Sequence, residues 1–465
     1  MEVRRSAAKK PGMEGGLDDA YVVPLFDRWL LHSPLHSTTA IVNTAAIREL
    51  KKADPDLVRL GALASLIEDP PSDPPRPKRG SLKPDFLGII PSRRCNLNCL
   101  YCGFGAENAS PSDLDPGLAV SAVDWMMEQA CSNNVESVDI HFFGGEPFVA
   151  PDVVDTVVHR ARARAAKMEL NCRFEADTNG FFDEPRCRFI GDYFDSVVLS
   201  FDGPEDVHNR QRPARNGNGS FETVSRNAAY LSKSPAELCL RVCVTSLNVK
   251  RLASMVRWFC DRFHPAIIDF EPLKPTTRSN EAGLQAPDPW EFAVQYIEAY
   301  RVASRCGVKA IYAAAAIDKI QFSFCPVGRD TLIVSPDATL SACYSLQEEW
   351  EAAGLDLTMG HLNAAGNMIL DQSAIEEIRK IPARRNRCSR CFARWHCAGG
   401  CHVMNHRANH GDDYDNFCVQ TRLITACLLL DKLGDHTTLQ KLQRTRHASE
   451  ALALAPSDRL SDWED

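Results

Sequence analysis

The stretch that decides the fold runs Cys95-Asn96-Leu97-Asn98-Cys99-Leu100-Tyr101-Cys102-Gly103-Phe104. Its three cysteines stand at CxxxCxxC spacing, just after the apolar run Phe86 to Pro91. That places them on a loop at the end of a strand. Three thiolates so close together can hold three irons of a cubane cluster and leave the fourth iron without a protein ligand, whereas such clusters ordinarily take four cysteines. A closed structural zinc site needs four ligands, and no fourth Cys or His lies nearby. For these cysteines alone, the alternative is redox-inert thiols or a zinc loop that borrows a remote ligand.

Outward from this loop, short apolar runs alternate with helical patterns. The expected strands are Phe86–Pro91, Ser137–Phe143, Cys172–Ala176, Val197–Phe201, Leu238–Thr245 and Ile267–Phe270. The expected helices are Leu118–Ala130, Val153–Met168, Phe221–Leu231 and Ala253–Phe263. This alternation predicts a parallel α/β sheet or barrel, in which chemistry gathers at the C-terminal ends of the strands. The second strand ends in Phe143-Gly144-Gly145-Glu146-Pro147. Its glycines let a ligand approach the backbone, and Glu146 can accept from an ammonium. By itself Gly-Gly-Glu-Pro is also an ordinary turn. The third strand ends in Thr178-Asn179-Gly180 and the fourth in Ser200-Phe201-Asp202-Gly203-Pro204, ahead of His208-Asn209-Arg210-Gln211-Arg212. Glu271-Pro272-Leu273-Lys274-Pro275 leaves the sixth strand at the same rim, either facing a substrate or turning away.

CxxxCxxC with an aromatic before its last cysteine, followed by Gly-Gly-Glu-Pro after the next strand, resembles the radical S-adenosylmethionine (SAM) signature. The resemblance implies a partial (β/α)6 barrel in which Cys95, Cys99 and Cys102 carry a catalytic [4Fe–4S] cluster. The open iron would chelate the amino and carboxylate groups of SAM. An electron from the cluster would break the S–C5′ bond, and the resulting radical would take a hydrogen from the substrate. It also implies that Gly144, Gly145 and Glu146 bind the methionine part of SAM. Ser200 and Arg212 would contact its carboxylate, and Tyr101 would lie near the adenine or cover the cluster. Without the resemblance, Arg210 and Arg212 read as solvated loop charges.

Seven more cysteines follow: Cys325, Cys343, Cys388, Cys391, Cys397, Cys401 and Cys418. Cys325 and Cys343 flank a predicted hairpin, Thr331–Val334 and Thr339–Ala342, with its turn at Pro336-Asp337-Ala338. The set resembles the SPASM extension of peptide-modifying radical SAM enzymes. That family's pattern has Gly five residues before the second cysteine, where this chain has Ala338, a change the turn tolerates if its φ is negative. The cysteines alone would also suit two zinc ribbons. By the resemblance, Cys388, Cys391, Cys397 and Cys418 close one auxiliary [4Fe–4S] cluster. Cys325, Cys343 and Cys401 hold another, whose fourth position falls to Cys306, to substrate or to no ligand. Cys131, Cys172, Cys187, Cys239, Cys243, Cys260 and Cys427 fall mostly in apolar patterns and read as buried small hydrophobes.

Composition bounds the rest. The 465 residues are 44% hydrophobic, enough for a large core in two to three domains, and the net charge of −8 argues against non-specific nucleic-acid binding. The arginines between Arg384 and Arg394 more plausibly offset thiolate charge than bind phosphate. No signal-peptide core follows Arg4-Arg5, and no apolar run approaches the roughly 18–20 residues of a membrane span. Eighteen cysteines in a chain expected to be cytoplasmic imply metal sites, not disulfides.

The expected division is an N-terminal segment 1–67, a linker 68–85, a barrel 86–310, a SPASM domain 311–434 and a tail 435–465. Residues 1–19 read as disordered, Tyr21 to Leu31 as a strand pair and Val42 to Leu66 as one or two short helices. The linker, with Pro70, Pro71, Pro74, Pro75 and Pro77, reads as semi-rigid. The resemblance implies a maturase that installs a crosslink, thioether or related oxidation in a ribosomally made peptide. Its leader would pair with the edge of Tyr21–Phe26, and a flavodoxin or ferredoxin would supply electrons. The alternatives are a sulfatase-maturase-type protein oxidase and a non-catalytic iron–sulfur electron carrier. The sulfatase maturases place Asp after the second SPASM cysteine, where this chain has Tyr344. An electron carrier would not need Gly144 to Glu146.

Overall fold

The computed structural model describes residues 16–52, 55–68, 70, 73–104, 113–384, 386–406, 414–455 and 458–463. Residues 1–15, most of the stretch expected to be disordered, lie outside them, as does Pro71 of the linker. The N-terminal apolar runs pair as β1 (Tyr21–Leu25) and β2 (Arg28–Ser33), and a third strand, β3 (Thr38–Val42), extends the predicted pair. Helices Thr44–Leu50 and Leu57–Leu60 follow, capped by Asn43 and Asp56. Ile47, Leu50, Leu60 and Leu66 pack onto one face of this small sheet through Val22, Leu31 and Val42. Tyr21, Val23, Leu25 and Leu30 on the other face belong to the main core.

The six predicted barrel strands are β4 (Phe86–Ile89), β5 (Ser137–Phe142), β6 (Asn171–Thr178), β7 (Ser196–Ser200), β8 (Glu237–Val244) and β9 (Ile267–Pro272). All are parallel, and a seventh parallel strand, β10 (Lys309–Ile311), pairs with β9. The strand period of two explains the layering. On β5, Val138, Ile140 and Phe142 are fully buried in the helix-covered core, whereas Asp139 and His141 project into the barrel. Helices Glu184–Tyr193 and Pro289–Arg305 complete the outer layer. Each has a capping Asp and a Pro in its first turn, a start signal legible in hindsight.

The C-terminal region does not form a separate sheet. β11 (Thr331–Val334) pairs in parallel with β4, and β12 (Thr339–Ser341), β13 (Thr358–Leu362) and β14 (Met368–Leu370) add antiparallel strands. One eleven-stranded sheet results, in the order β10-β9-β8-β7-β6-β5-β4-β11-β12-β13-β14. The expected boundary at 310/311 is therefore no structural break. The Ala338 turn keeps the conformation usually given to glycine, with φ +66°, not the negative value expected for alanine.

The tail is also structured. Helices His436–Arg444 and Arg446–Leu454 lead to β15 (Asp458–Arg459), which pairs antiparallel with β1. The small sheet runs β15-β1-β2-β3. β15 thus covers Tyr21 and Val22 of the edge expected to receive a peptide, and β3 forms the opposite edge of the sheet. Among the described residues no helix is long and apolar enough to cross a membrane.

Candidate cluster and cofactor site

The CxxxCxxC loop is tied to the end of helix Glu205–Gln211 and to the end of β6. Asn98 N donates to Pro213 O at 2.7 Å and Leu100 N to Gln211 O at 2.9 Å. Cys95 Sγ accepts from Leu97 N and from Asn179 Nδ2, each at 3.4 Å. Donors aimed at sulfur suit a thiolate. Burial pushes the Cys95 thiol up to about 12 and the Cys99 thiol up to about 11, so both need a metal or countercharge to ionise.

Gly144 and Gly145 serve the loop itself. A Cβ on Gly145 would overlap the carbonyl oxygens of Arg93 and Arg94, and one on Gly144 that of Ser92. What approaches the glycine backbone is this chain's own cluster loop. Glu146 is 1% exposed. It accepts from Asn179 N at 2.7 Å, Thr178 Oγ1 at 2.8 Å and Phe148 N at 3.2 Å. Burial nevertheless raises its carboxyl to about 7, against the lowering effect of those bonds.

Tyr101 donates to Asp202 Oδ2 at 2.8 Å and receives a hydrogen bond from Arg212 Nη1. Asp202, fully buried, also accepts from Gln211 Nε2 and Cys243 N, each at 3.0 Å. These bonds hold the Arg212 guanidinium over the Tyr101 ring, 5.7 Å from its centroid. Arg212 Nε is buried without a hydrogen-bond partner, a donor position that a ligand carboxylate would fill. Tyr101, Cys102, Ser200 and Arg212 line one cavity of about 690 Å³. Gly144, Gly145 and Glu146 lie behind the loop instead.

The barrel interior is polar. Arg241 donates to Asp177 at 2.7 Å and to Asp269 at 2.8 Å. His141 lies 3.3 Å from Asp177 through Nε2 and 2.7 Å from the Tyr344 hydroxyl through Nδ1. Only glycine at 88 leaves room for that hydroxyl, because a Cβ there would collide with it. Tyr344 therefore sits on the cavity wall, joined to the barrel strands. Glu271 lines the same cavity, and its carboxyl is raised to about 7 by burial and then by Asp269.

The C-terminal cysteines fall into two groups. Cys388, Cys391, Cys397 and Cys418 line one small pocket with Arg387 and Arg422. Arg422, 1% exposed, donates to Cys391 Sγ at 3.4 Å. Four thiols, those of Cys391 and Cys397 buried and those of Cys388 and Cys418 half-buried, beside guanidinium groups fit an anionic four-thiolate cluster. Arg422 lies four residues after Cys418 in helix Asn416–Lys432, a spacing that could have marked it. Cys325, Cys343 and Cys401 line the first cavity, facing Cys102. Cys306 is not with them: its thiol hydrogen-bonds Cys260 on the outer helices. Of the other cysteines, Cys187, Cys239, Cys260 and Cys427 are buried as expected, Cys131 is exposed and Cys243 lines the cavity. Among the described residues no three His, Cys, Asp or Glu side chains converge on a single-ion site.

Cysteine centres at the C-terminal rim of an open, mostly parallel α/β sheet, faced by a second cysteine-rich layer, define the class of protein. The Radical SAM superfamily profile matches residues 89–258. An uncharacterised protein of Methanocaldococcus jannaschii is 26% identical over 190 residues, covering 41% of this chain and 63% of its own. The cysteine-type anaerobic sulfatase-maturating enzyme of Clostridium perfringens is 27% identical over 177 residues, covering 37% and 47%. The chain thus spans less than two thirds of these curated relatives. Among solved structures, anSMEcpe with bound AdoMet shares the fold at TM-score 0.60 and 19% identity, over 79% of this chain and 98% of that one. Streptococcus suis SuiB bound to S-adenosylmethionine does so at TM-score 0.51 and 15% identity, over 83% and 95%. The chain carries a radical SAM domain followed by a cysteine-rich C-terminal region.

Proposed function

We propose that the protein is a radical SAM maturase acting on a peptide, in which it installs a crosslink, thioether or related oxidation. One observation carries this reading. Cys102, Ser200 and Arg212 share a single cavity with Cys325, Cys343 and Cys401, so a SAM site and an auxiliary electron site face the same substrate. A [4Fe–4S] cluster on Cys95, Cys99 and Cys102 would supply reductive cleavage of SAM to a 5′-deoxyadenosyl radical. Arg212, fixed by Tyr101 and Asp202, orients the SAM carboxylate from the side of Ser200, and Glu146 braces the cluster loop from behind through Asn179. Phe104, Phe143 and Tyr344 form an aromatic wall, with successive ring centroids 5.5 and 4.8 Å apart, which keeps water from the reacting atoms.

The small N-terminal sheet supports the peptide reading. β3 leaves one edge free for a leader to pair with. The sheet is joined to the cysteine-rich region by His32 and His396, whose Nε2 atoms are 3.0 Å apart. Structural neighbours solved with peptides, anSMEcpe with Kp18Cys and SuiB with its precursor SuiA, lend the same support. A reduced flavodoxin or ferredoxin is the proposed electron donor.

The test is anaerobic reconstitution, reduction and assay of 5′-deoxyadenosine. Cys95, Cys99 and Cys102 changed together to Ala should abolish it. Mass spectrometry of a co-expressed precursor encoded near the gene should show a loss of hydrogen. If no neighbouring peptide changes while a free metabolite drives SAM consumption, the peptide reading fails. A sulfatase-maturase-type oxidase is the second reading, favoured by similarity to the Clostridium perfringens enzyme. Oxidation of a sulfatase peptide at its Cys or Ser would establish it despite Tyr344.

A further inference from the structure

Arg422 brings a buried cation to the pocket of Cys388, Cys391, Cys397 and Cys418. A guanidinium is held out of water at a cost unless acceptors meet its donors. Nε donates to Ala453 O at 2.7 Å, and Nη2 donates to Ala455 O and, at 3.5 Å, to Leu452 O. These neutral carbonyls close helix Arg446–Leu454, at the end where a helix leaves acceptors unfilled and its dipole favours a cation. The rings of Tyr414 and Phe392 flank the guanidinium, their centroids 4.1 and 5.1 Å away. The side chain is therefore fixed, and its Nη1 donates to Cys391 Sγ at 3.4 Å. The pocket's other guanidinium, Arg387, is paired with Asp415 at 3.1 Å. An electron added to a cubane increases its negative charge, and a hydrogen bond from a fixed cation strengthens with that charge. Such a bond favours the reduced cluster over the oxidised one and so raises its reduction potential.

We propose that Arg422 is a positioning residue that sets a redox potential: acting through Cys391 Sγ, it makes the cluster on Cys388, Cys391, Cys397 and Cys418 easier to reduce. The inference rests on those four thiols being an iron–sulfur site. It ties the potential of that cluster to the end of helix Arg446–Leu454, which grips the guanidinium from the far side.

The test uses the full chain with Cys95, Cys99 and Cys102 changed to Ala, so that only auxiliary clusters remain. It is reconstituted anaerobically and taken through a reductive titration followed by electron paramagnetic resonance. Cys391→Ala in this background should remove one cluster signal and about four irons, which identifies the four-thiol cluster. If it removes none, the cluster reading of those thiols fails, and the proposal with it. Arg422→Gln keeps donors for the helix carbonyls but not the charge. It should move this midpoint, and no other, to lower potential. At the parent's midpoint the ratio of reduced to oxidised cluster should then fall about tenfold, the equivalent of one charge-assisted bond. Arg422→Lys keeps the charge and should move the midpoint less. An unmoved midpoint in Arg422→Gln, or equal shifts in the two variants, overturns the proposal and leaves the cluster reading standing. If Arg422→Gln no longer holds the cluster, arginine labelled with heavy nitrogen decides. The reduced signal of the labelled chain with Arg422 in place should carry a nitrogen coupling that Arg422→Lys removes. Absence of that coupling, or its survival in Arg422→Lys, overturns the proposal.

Discussion

Glu146 is a carboxylate surrounded by three donors whose burial still lifts it to about 7. Those bonds tie it to Asn179, whose amide reaches Cys95 Sγ, so Glu146 braces the cluster loop from behind. A carboxyl raised on folding stabilises the fold below its unfolded pKa, and that contribution is lost as pH rises through about 7. The parent should thus melt lower at about pH 8 than at about pH 6, as a melting series would show. Gly145→Ala tests the loop contact: its Cβ meets main-chain oxygen, so it should lose about four irons and SAM cleavage while keeping both auxiliary clusters. The cysteine spacings and Gly-Gly-Glu-Pro were legible in the sequence because they are local. Asp202, His141, Tyr344 and Arg422 were not, because each acquires its role from a partner on a distant strand or helix.

Strands and turns carry the next set of outcomes. Ala338 holds a left-handed φ, which costs a non-glycine residue about 1–2 kcal/mol. Ala338→Gly relieves that strain but loosens the unfolded chain by about 0.5–1 kcal/mol, so it should raise stability slightly. Ala338→Val should lower it, and a denaturant titration would show both. At the free edge, adjacent residues of β3 direct their N–H groups to opposite sides. Of Thr38→Pro and Thr39→Pro, one should therefore break the bond to β2 and depress the melting temperature. The other should leave melting nearly unchanged and abolish binding of the precursor leader. If the well-folded variant still binds, the leader pairs elsewhere. The six barrel strands were readable because each is a run of apolar residues bounded by turns. β3 and β10 were not: Thr38–Val42 runs straight into a helix cap at Asn43, and Lys309–Ile311 is only three residues long.

At the scale of the whole molecule, both cysteine layers are attached to one sheet through the β4–β11 pair. Full reconstitution should approach about twelve irons per chain, the content of three cubanes. The tail is a structural member as well. Leu460 and Trp463 are 0% and 5% exposed in the N-terminal core, and Trp463 meets Trp29 edge-on at 5.9 Å between ring centroids. Trp463→Ala should cost about 3–5 kcal/mol of local stability. It should weaken peptide binding while iron content and peptide-free SAM cleavage stay at the parent level. The N-terminal strand pair was legible in the sequence, but its partner in the tail was not, because a two-residue strand has no periodicity of its own.

The pairing of β1 with β15 also bears on how the protein is made. Tyr21 leaves the ribosome well before its ladder partner Arg459. Domains usually fold as they emerge, from the N-terminal end onward, but this sheet lacks one strand and part of its core until residues 458–463 have emerged. The proposed leader-binding module is therefore completed after the barrel. Ribosome-stalled chains ending before residue 456 should show an N-terminal region open to protease beside an already resistant barrel. Stalled chains in which residues 458–463 have emerged should show it closed.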